Sequence, residues 1–171
     1  VLGPMGPTTI NYFEAGTSLG LKKTIINGAG DVLNLTDYNP VGDLLSSSTS
    51  PDGIIVNSHS YTYDGLHRML SDQTSDGKAF RWTYQGRNLT STTDQAGTVL
   101  NYVFCKDCGK LVRTSGPLGW ALNWIYDGDH DLRVFTDARG MKTNYSYGAD
   151  RELTGVSYPD GSAVGYTYRK G

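Results

Sequence analysis

An aromatic residue, any residue, then a second aromatic recurs six times along this chain on a beat close to 21 residues. The copies are Tyr61-Thr62-Tyr63, Trp82-Thr83-Tyr84, Tyr102-Val103-Phe104, Trp124-Ile125-Tyr126, Tyr145-Ser146-Tyr147 and Tyr166-Thr167-Tyr168. Successive second aromatics are separated by 21, 20, 22, 21 and 21 residues. A weaker copy ends at Tyr38, and Tyr12-Phe13 marks a more degenerate one. A fixed period of this length signals a stacked repeat, in which each unit is one small motif that cannot bury its own apolar face.

Two further features keep the beat. Gly77, Gly97, Gly119, Gly140 and Gly161 each lie seven residues before a second aromatic, and Gly53 lies ten before Tyr63. Signals such as Pro51-Asp52-Gly53, Asp76-Gly77 and Pro159-Asp160-Gly161 mark these places as turns. Leu44, Met69, Leu89, Leu111, Leu132 and Leu153 follow the second aromatic by 6, 6, 5, 7, 6 and 6 residues. Single-residue slips of this kind belong in turns, which tolerate insertion best.

Between glycine and second aromatic the apolar residues alternate. Phe80, Trp82 and Tyr84 share one parity, as do Leu100, Tyr102 and Phe104, and Leu122, Trp124 and Tyr126. Period two predicts a strand. A turn of four or five residues follows, and then a second strand rich in Ser and Thr, as in Leu89-Thr90-Ser91-Thr92-Thr93. The expected architecture is all-β: tandem β-hairpins side by side in one long antiparallel sheet, twisted or spiralling, with an aromatic ladder along one face. Residues 31–171 form an array of about six units, and residues 1–30 are a degenerate repeat or a cap. The outermost strands, near residues 10–25 and 163–168, would be open edges that call for partners. The chain starts at Val1 and stops just past a strand pattern, so a fragment of a longer chain is expected.

Composition narrows the function classes. Lys plus Arg (15) nearly balances Asp plus Glu (17), which leaves no basic stripe for nucleic acid. No apolar run approaches the roughly 18 residues of a membrane-spanning helix. Gly at 22 and Tyr at 12 favour β-structure rich in tight turns.

The segment Tyr61-Thr62-Tyr63-Asp64-Gly65-Leu66-His67-Arg68-Met69 resembles the YD-repeat, or rearrangement-hotspot (Rhs-type), family, whose pattern is roughly Y-x-Y-D-x-x-G-R-L. Ile125-Tyr126-Asp127 through Leu132, then Phe135-Thr136-Asp137, and Tyr145 through Leu153 are similar to it as well. The likeness covers about residues 30–171. Gln85, Cys105 and Gly148 stand where the family has Asp, and His67, His130 and Arg151 where it has a turn Gly. The resemblance implies a cocoon-like shell whose spiralling sheet surrounds a hollow interior. Bacterial members enclose toxic polypeptides and animal relatives serve adhesion. Some bacterial members cleave themselves with acidic residues in a region after the repeats; no such segment is identified here.

Few residues suggest chemistry. Cys105-Lys106-Asp107-Cys108 reads first as a local disulfide in a hairpin turn, with half a metal site and a redox dithiol as the other readings. His67 and His130 read as turn filler, because His tolerates a left-handed backbone better than most residues, and His59 as strand packing. Asp127, Asp129 and Asp131 have the alternate spacing of a calcium loop, but Leu132 and Ala138 stand where its Gly and Glu belong. A turn-bound cation is the weaker reading there. No nucleophile elbow, H-E-x-x-H or phosphate loop is present.

The expected function is therefore a structural shell or scaffold segment, not an enzyme, with no cofactor, secreted or at the cell surface. Its expected partners are the remainder of its own shell or further copies of itself, enclosing a polypeptide or meeting a glycan. The residues expected to carry this role are the ladder (Tyr61, Tyr63, Trp82, Tyr84, Tyr102, Phe104, Trp124, Tyr126, Tyr145, Tyr147, Tyr166, Tyr168) and the turn glycines. An extracellular adhesion or glycan-binding module, using exposed rows of Tyr and Trp, and a filament built by edge-strand pairing are the alternatives.

Overall fold

A computed structural model describes residues 7–16, 18–50, 54–55 and 57–169. Gly53 and its turn signal lie outside the described residues. The chain divides into two compact units, the described residues of Val1–Trp82 with Thr93–Gly97, and of Thr83–Thr92 with Thr98–Gly171. Within each unit the strands follow one another in sheet order as they do in the chain.

The first unit holds β1 (Thr9–Tyr12), β2 (Lys22–Ile26), β3 (Val32–Tyr38), β4 (Leu44–Ser50), β5 (Asn57–Tyr63), β6 (Met69–Thr74) and the start of β7 (Ala79–Gln85). Each pairs antiparallel with the next. The second unit holds most of β8 (Asn88–Thr93), then β9 (Val99–Phe104), β10 (Leu111–Ser115), β11 (Ala121–Tyr126), β12 (Leu132–Thr136), β13 (Lys142–Tyr147), β14 (Leu153–Ser157) and β15 (Ala163–Gly165). From β9 to β15 each again pairs antiparallel with the next. The one helical piece among the described residues is a 3-10 turn at Pro117–Gly119.

The aromatic pairs fall in β5, β7, β9, β11 and β13, and the middle residue of each pair points away from the rings. Thr62, Thr83, Val103, Ile125 and Ser146 are exposed, while the rings flanking them are half-buried. That is the period-two expectation for a sheet with one apolar face. The burial is shallow. Leu35, Ala79 and Val156 are the buried hydrophobic residues among those described, and no side chain is sealed completely. Cohesion therefore rests on cross-strand pairs rather than a deep core.

The apolar residue trailing each pair has a physical place. Tyr38 lies opposite Leu44, Tyr63 opposite Met69, Phe104 opposite Leu111, Tyr126 opposite Leu132 and Tyr147 opposite Leu153. The register slips by one residue next to each of these pairs. Such a slip is a bulge, and a hairpin turn that contains one left-handed residue produces it.

Candidate functional site

The residues that hold one hairpin to the next form the feature with functional content. It is built from two sets of atoms, the ladder rings and the turns that follow them.

Several ladder tyrosines reach back to the preceding strand. The Tyr38 hydroxyl donates to the Lys22 carbonyl at 2.7 Å, Tyr126 to the Leu111 carbonyl at 3.2 Å and Tyr168 to the Leu153 carbonyl at 2.9 Å. The first aromatic of a pair meets a hydroxyl instead: Tyr61 pairs with Ser47 Oγ at 2.7 Å and Tyr102 with Thr92 Oγ1 at 3.2 Å. Burial pushes the Tyr38, Tyr63 and Tyr147 phenols above their ordinary value. They therefore stay protonated at neutral pH. Rings also contact one another. Phe80 stacks on Trp82 at 6.2 Å between centroids, and Trp124 tilts against Phe135 at 5.6 Å. His59 stacks on Tyr61 and sets Nδ1 2.6 Å from Asp72 Oδ1, a packed and paired side chain in the ladder series. Tyr166 and Tyr168, beside β15, are the more exposed members, at 40% and 58%.

The turns that begin at Asn39, Asp64, Asp127 and Gly148 share one five-residue backbone design, whereas the Cys105 turn is one residue longer. The first residue donates its N–H to the fifth carbonyl, and the fourth donates to the first: Asp64 to Arg68 and His67 to Asp64, Asp127 to Asp131 and His130 to Asp127, Gly148 to Glu152 and Arg151 to Gly148. The fourth residue is left-handed, with φ of 96° at Gly42, 62° at His67, 68° at His130 and 63° at Arg151. The leading Asp completes the turn with its side chain. Asp64 Oδ1 accepts from the Leu66 and Arg68 amides while Oδ2 takes the Arg68 guanidinium. Asp127 Oδ1 accepts from Asp129 and Asp131, and Oδ2 from Arg133 Nε at 2.7 Å. The Asp131 amide above all, then Arg133, holds the Asp127 carboxyl below the usual range. Cys105 takes the Asp place in its copy. It is joined to Cys108 in a disulfide, and its Sγ accepts the Cys108 amide.

Neighbouring turns of this kind are tied to each other. His67 Nδ1 lies 2.8 Å from Asp43 Oδ2, the fifth residue of the previous such turn. Arg151 binds both Asp131 oxygens, at 3.0 and 2.7 Å, and the Asp129 carbonyl at 2.6 Å. Lys110, last in its turn, donates to the His130 carbonyl and lies 4.9 Å from the Tyr126 ring centroid. In the first two the fifth position of one turn meets the fourth position of the next, and Lys110, sixth in its longer turn, reaches the fourth position of the next.

These ties correct the cation reading. The Asp127 and Asp131 carboxylates are taken by the guanidinium groups of Arg133 and Arg151. Among the described residues no group of three His, Cys, Asp or Glu side chains could hold a metal. Sequence reasoning treated His67 as filler and did not single out Asp43, Lys110, Asp131 or Arg151 for a tie. The available signal was a basic residue, in place of turn Gly, 20 or 24 residues after an acid.

Residues 126–163 match the family model described as RHS Repeat. That span contains two aromatic-following turns and the Arg151–Asp131 tie. No curated protein matches the chain. Among solved structures, a crystal structure of TcdB2-TccC3-Cdc42 aligns with 88% of this chain and 10% of its own, at 12% identity and a TM-score of 0.50. A Photorhabdus luminescens Tc holotoxin pore aligns with 88% and 10%, at 13% identity and a TM-score of 0.49. The first of these shows a shared fold. The chain spans about a tenth of the length of the chains it matches.

Proposed function

We propose that this chain, whose residues 126–163 are an RHS repeat, is a wall segment of a larger Rhs-type shell, and that its role is structural rather than catalytic. One observation carries the reading: successive hairpins are joined by the same atoms again and again. Ladder hydroxyls bond the strand before them, and a turn's fourth residue meets the fifth of the turn before. Contacts that repeat unit by unit build a surface of any length, whereas a catalytic centre needs one unique convergence of groups.

The wall would enclose or display a polypeptide. The Cys105–Cys108 disulfide supports an oxidising compartment, hence secretion or the cell surface. No helix among the described residues is long and apolar enough to cross a membrane. Single-particle electron microscopy of the natural parent chain tests the proposal. A closed wall around a lumen is expected, and a solid particle without a lumen would refute it. Open fibres would favour edge-to-edge filament growth instead. Specific retention on a glycan array, lost in Trp82→Ala and Trp124→Ala, would favour the adhesion module.

A further inference from the structure

The disulfide between Cys105 and Cys108 lies in the turn from β9 to β10, and that turn does not depend on it. Cys105 donates its N–H to the Lys110 carbonyl at 2.8 Å, and Gly109 donates to the Cys105 carbonyl at 3.0 Å. The turns at Asp64, Asp127 and Gly148 are closed by the same two kinds of backbone bond and carry no cross-link. A bridge that closes so short a loop also constrains the unfolded chain least. The bond is therefore spare in the fold and can open without undoing the hairpin.

One of its sulfurs is marked out. Cys105 Sγ accepts the Cys108 amide at 3.1 Å. When the bridge opens, that amide stabilises a thiolate on Cys105, and the better-stabilised thiolate is the better leaving group. An incoming thiolate is thus directed to Cys108. Both cysteines are half-buried rather than sealed. They line a hollow of about 440 Å³ together with Val112, Trp124 and Tyr126, and Asp107 adds a carboxylate to it. All of these residues belong to the second unit. A largely apolar hollow beside a carboxylate favours an uncharged apolar group over an anionic one.

We propose that Cys105–Cys108 is a thiol–disulfide exchange site for a cysteine-bearing polypeptide whose neighbouring apolar side chain sits in this hollow. The substrate thiolate bonds to Cys108 Sγ, the Cys105–Cys108 bond breaks, and its electron pair goes to Cys105 Sγ. A second substrate thiolate then attacks the substrate sulfur held on Cys108. The substrate leaves as a disulfide, oxidised by two electrons. Cys105 and Cys108 are left as the reduced pair, and the two protons lost by the substrate thiols balance those they take up. The protein's own disulfide is the oxidant, so one turnover needs no other reagent.

The test mixes the oxidised full chain with three probes at equal thiolate concentration. They are a capped neutral peptide with cysteine beside phenylalanine, the same peptide with glycine in that place, and glutathione. Acid quenching, alkylation and mass mapping read how fast an adduct forms and which cysteine carries it. The phenylalanine peptide should react about tenfold faster than either rival, the gain from partly burying one aromatic side chain. Its adduct should sit on Cys108, and Val112→Ser should lower its advantage over the glycine peptide. A two-cysteine version should be released as its own disulfide, leaving Cys105 and Cys108 open to alkylation. No adduct, an adduct mainly on Cys105, or no release of the two-cysteine peptide overturns the exchange step. Equal rates with phenylalanine and glycine, or a ratio indifferent to Val112→Ser, overturns the hollow as the recognition site. Glutathione reacting as fast as the phenylalanine peptide overturns a polypeptide substrate. The exchange needs no closed wall, so a parent particle without a lumen leaves it untouched.

Discussion

Most hairpins of this chain use a five-residue turn with a left-handed fourth residue at both ends of their strands, yet the two sets are filled differently. Turns that precede an aromatic pair keep glycine at the left-handed place: Gly77, Gly97, Gly119, Gly140 and Gly161 have φ between 78° and 85° or, at Gly161, 87°. Turns that follow a pair place His67, His130 and Arg151 there as well as Gly42, Gly86 and Gly109. A side chain at this backbone costs about 1 kcal/mol. Glycine avoids that cost but has nothing to offer a neighbour. Arg151 and His67 accept the strain and reach an acid in the adjoining turn. One set of turns only closes hairpins, and the other also joins them.

The largest expected effect lies in the rings feeding the joining turns. Trp124→Ala should lower unfolding free energy by about 2–3 kcal/mol, less than the loss typical of a sealed core because the ring is half-buried against Phe135. Ile125→Ala, on the exposed face, should change it by no more than about 0.5 kcal/mol. Urea midpoints measure both, and equal losses would mean that the two faces are wrongly assigned.

The next effect compares glycine with histidine directly. Gly140→Ala should cost about 1–2 kcal/mol, and entirely through the backbone, since an added Cβ there meets nothing within 4 Å. His130→Gly should gain about 1 kcal/mol, because the bond from Lys110 goes to the His130 carbonyl and survives the change. His67→Gly should fall near zero, with relief of strain offset by loss of the bond to Asp43. If thermal melts show His130→Gly and His67→Gly shifting by the same amount, His67 joins nothing.

The smallest effect appears with acid. Arg151 holds the folded Asp131 carboxyl below its ordinary value, which is about 3.9 in an unfolded chain. A lowered folded pKa adds stability that is fully present above about pH 4 and fades as pH falls through the folded value. The stability gap between the parent and Asp131→Asn should therefore stay level from about pH 7 to 5 and shrink as pH falls below about 4. A gap indifferent to pH would remove charge from the account of the joining turns.

Much of this was legible before any coordinates. Alternation around Trp82, Tyr102 and Trp124 pointed to strands, and the six-residue step from Tyr63 to Met69 is the register pair of a bulged hairpin. Glycine seven residues before Tyr84 or Tyr147 fell in a turn with positive φ. The joining contacts were hidden. His67 and Asp43 are 24 residues apart, and Arg151 and Asp131 are 20 apart. Neither pair touches until two hairpins lie side by side in one register. The spacing of Asp127, Asp129 and Asp131 suggested a cation, and only the placement of Arg133 and Arg151 showed that the charge was already matched.

What the sequence determined alone was local: strand, turn and repeat length follow from period-two alternation and from residues that tolerate a left-handed backbone, and both act within a few positions. What the tertiary structure decided was which side chain of one unit meets which atom of the next. That choice depends on strand register and bulges, and a shift of one residue would turn every ring to the other face and part every tied pair.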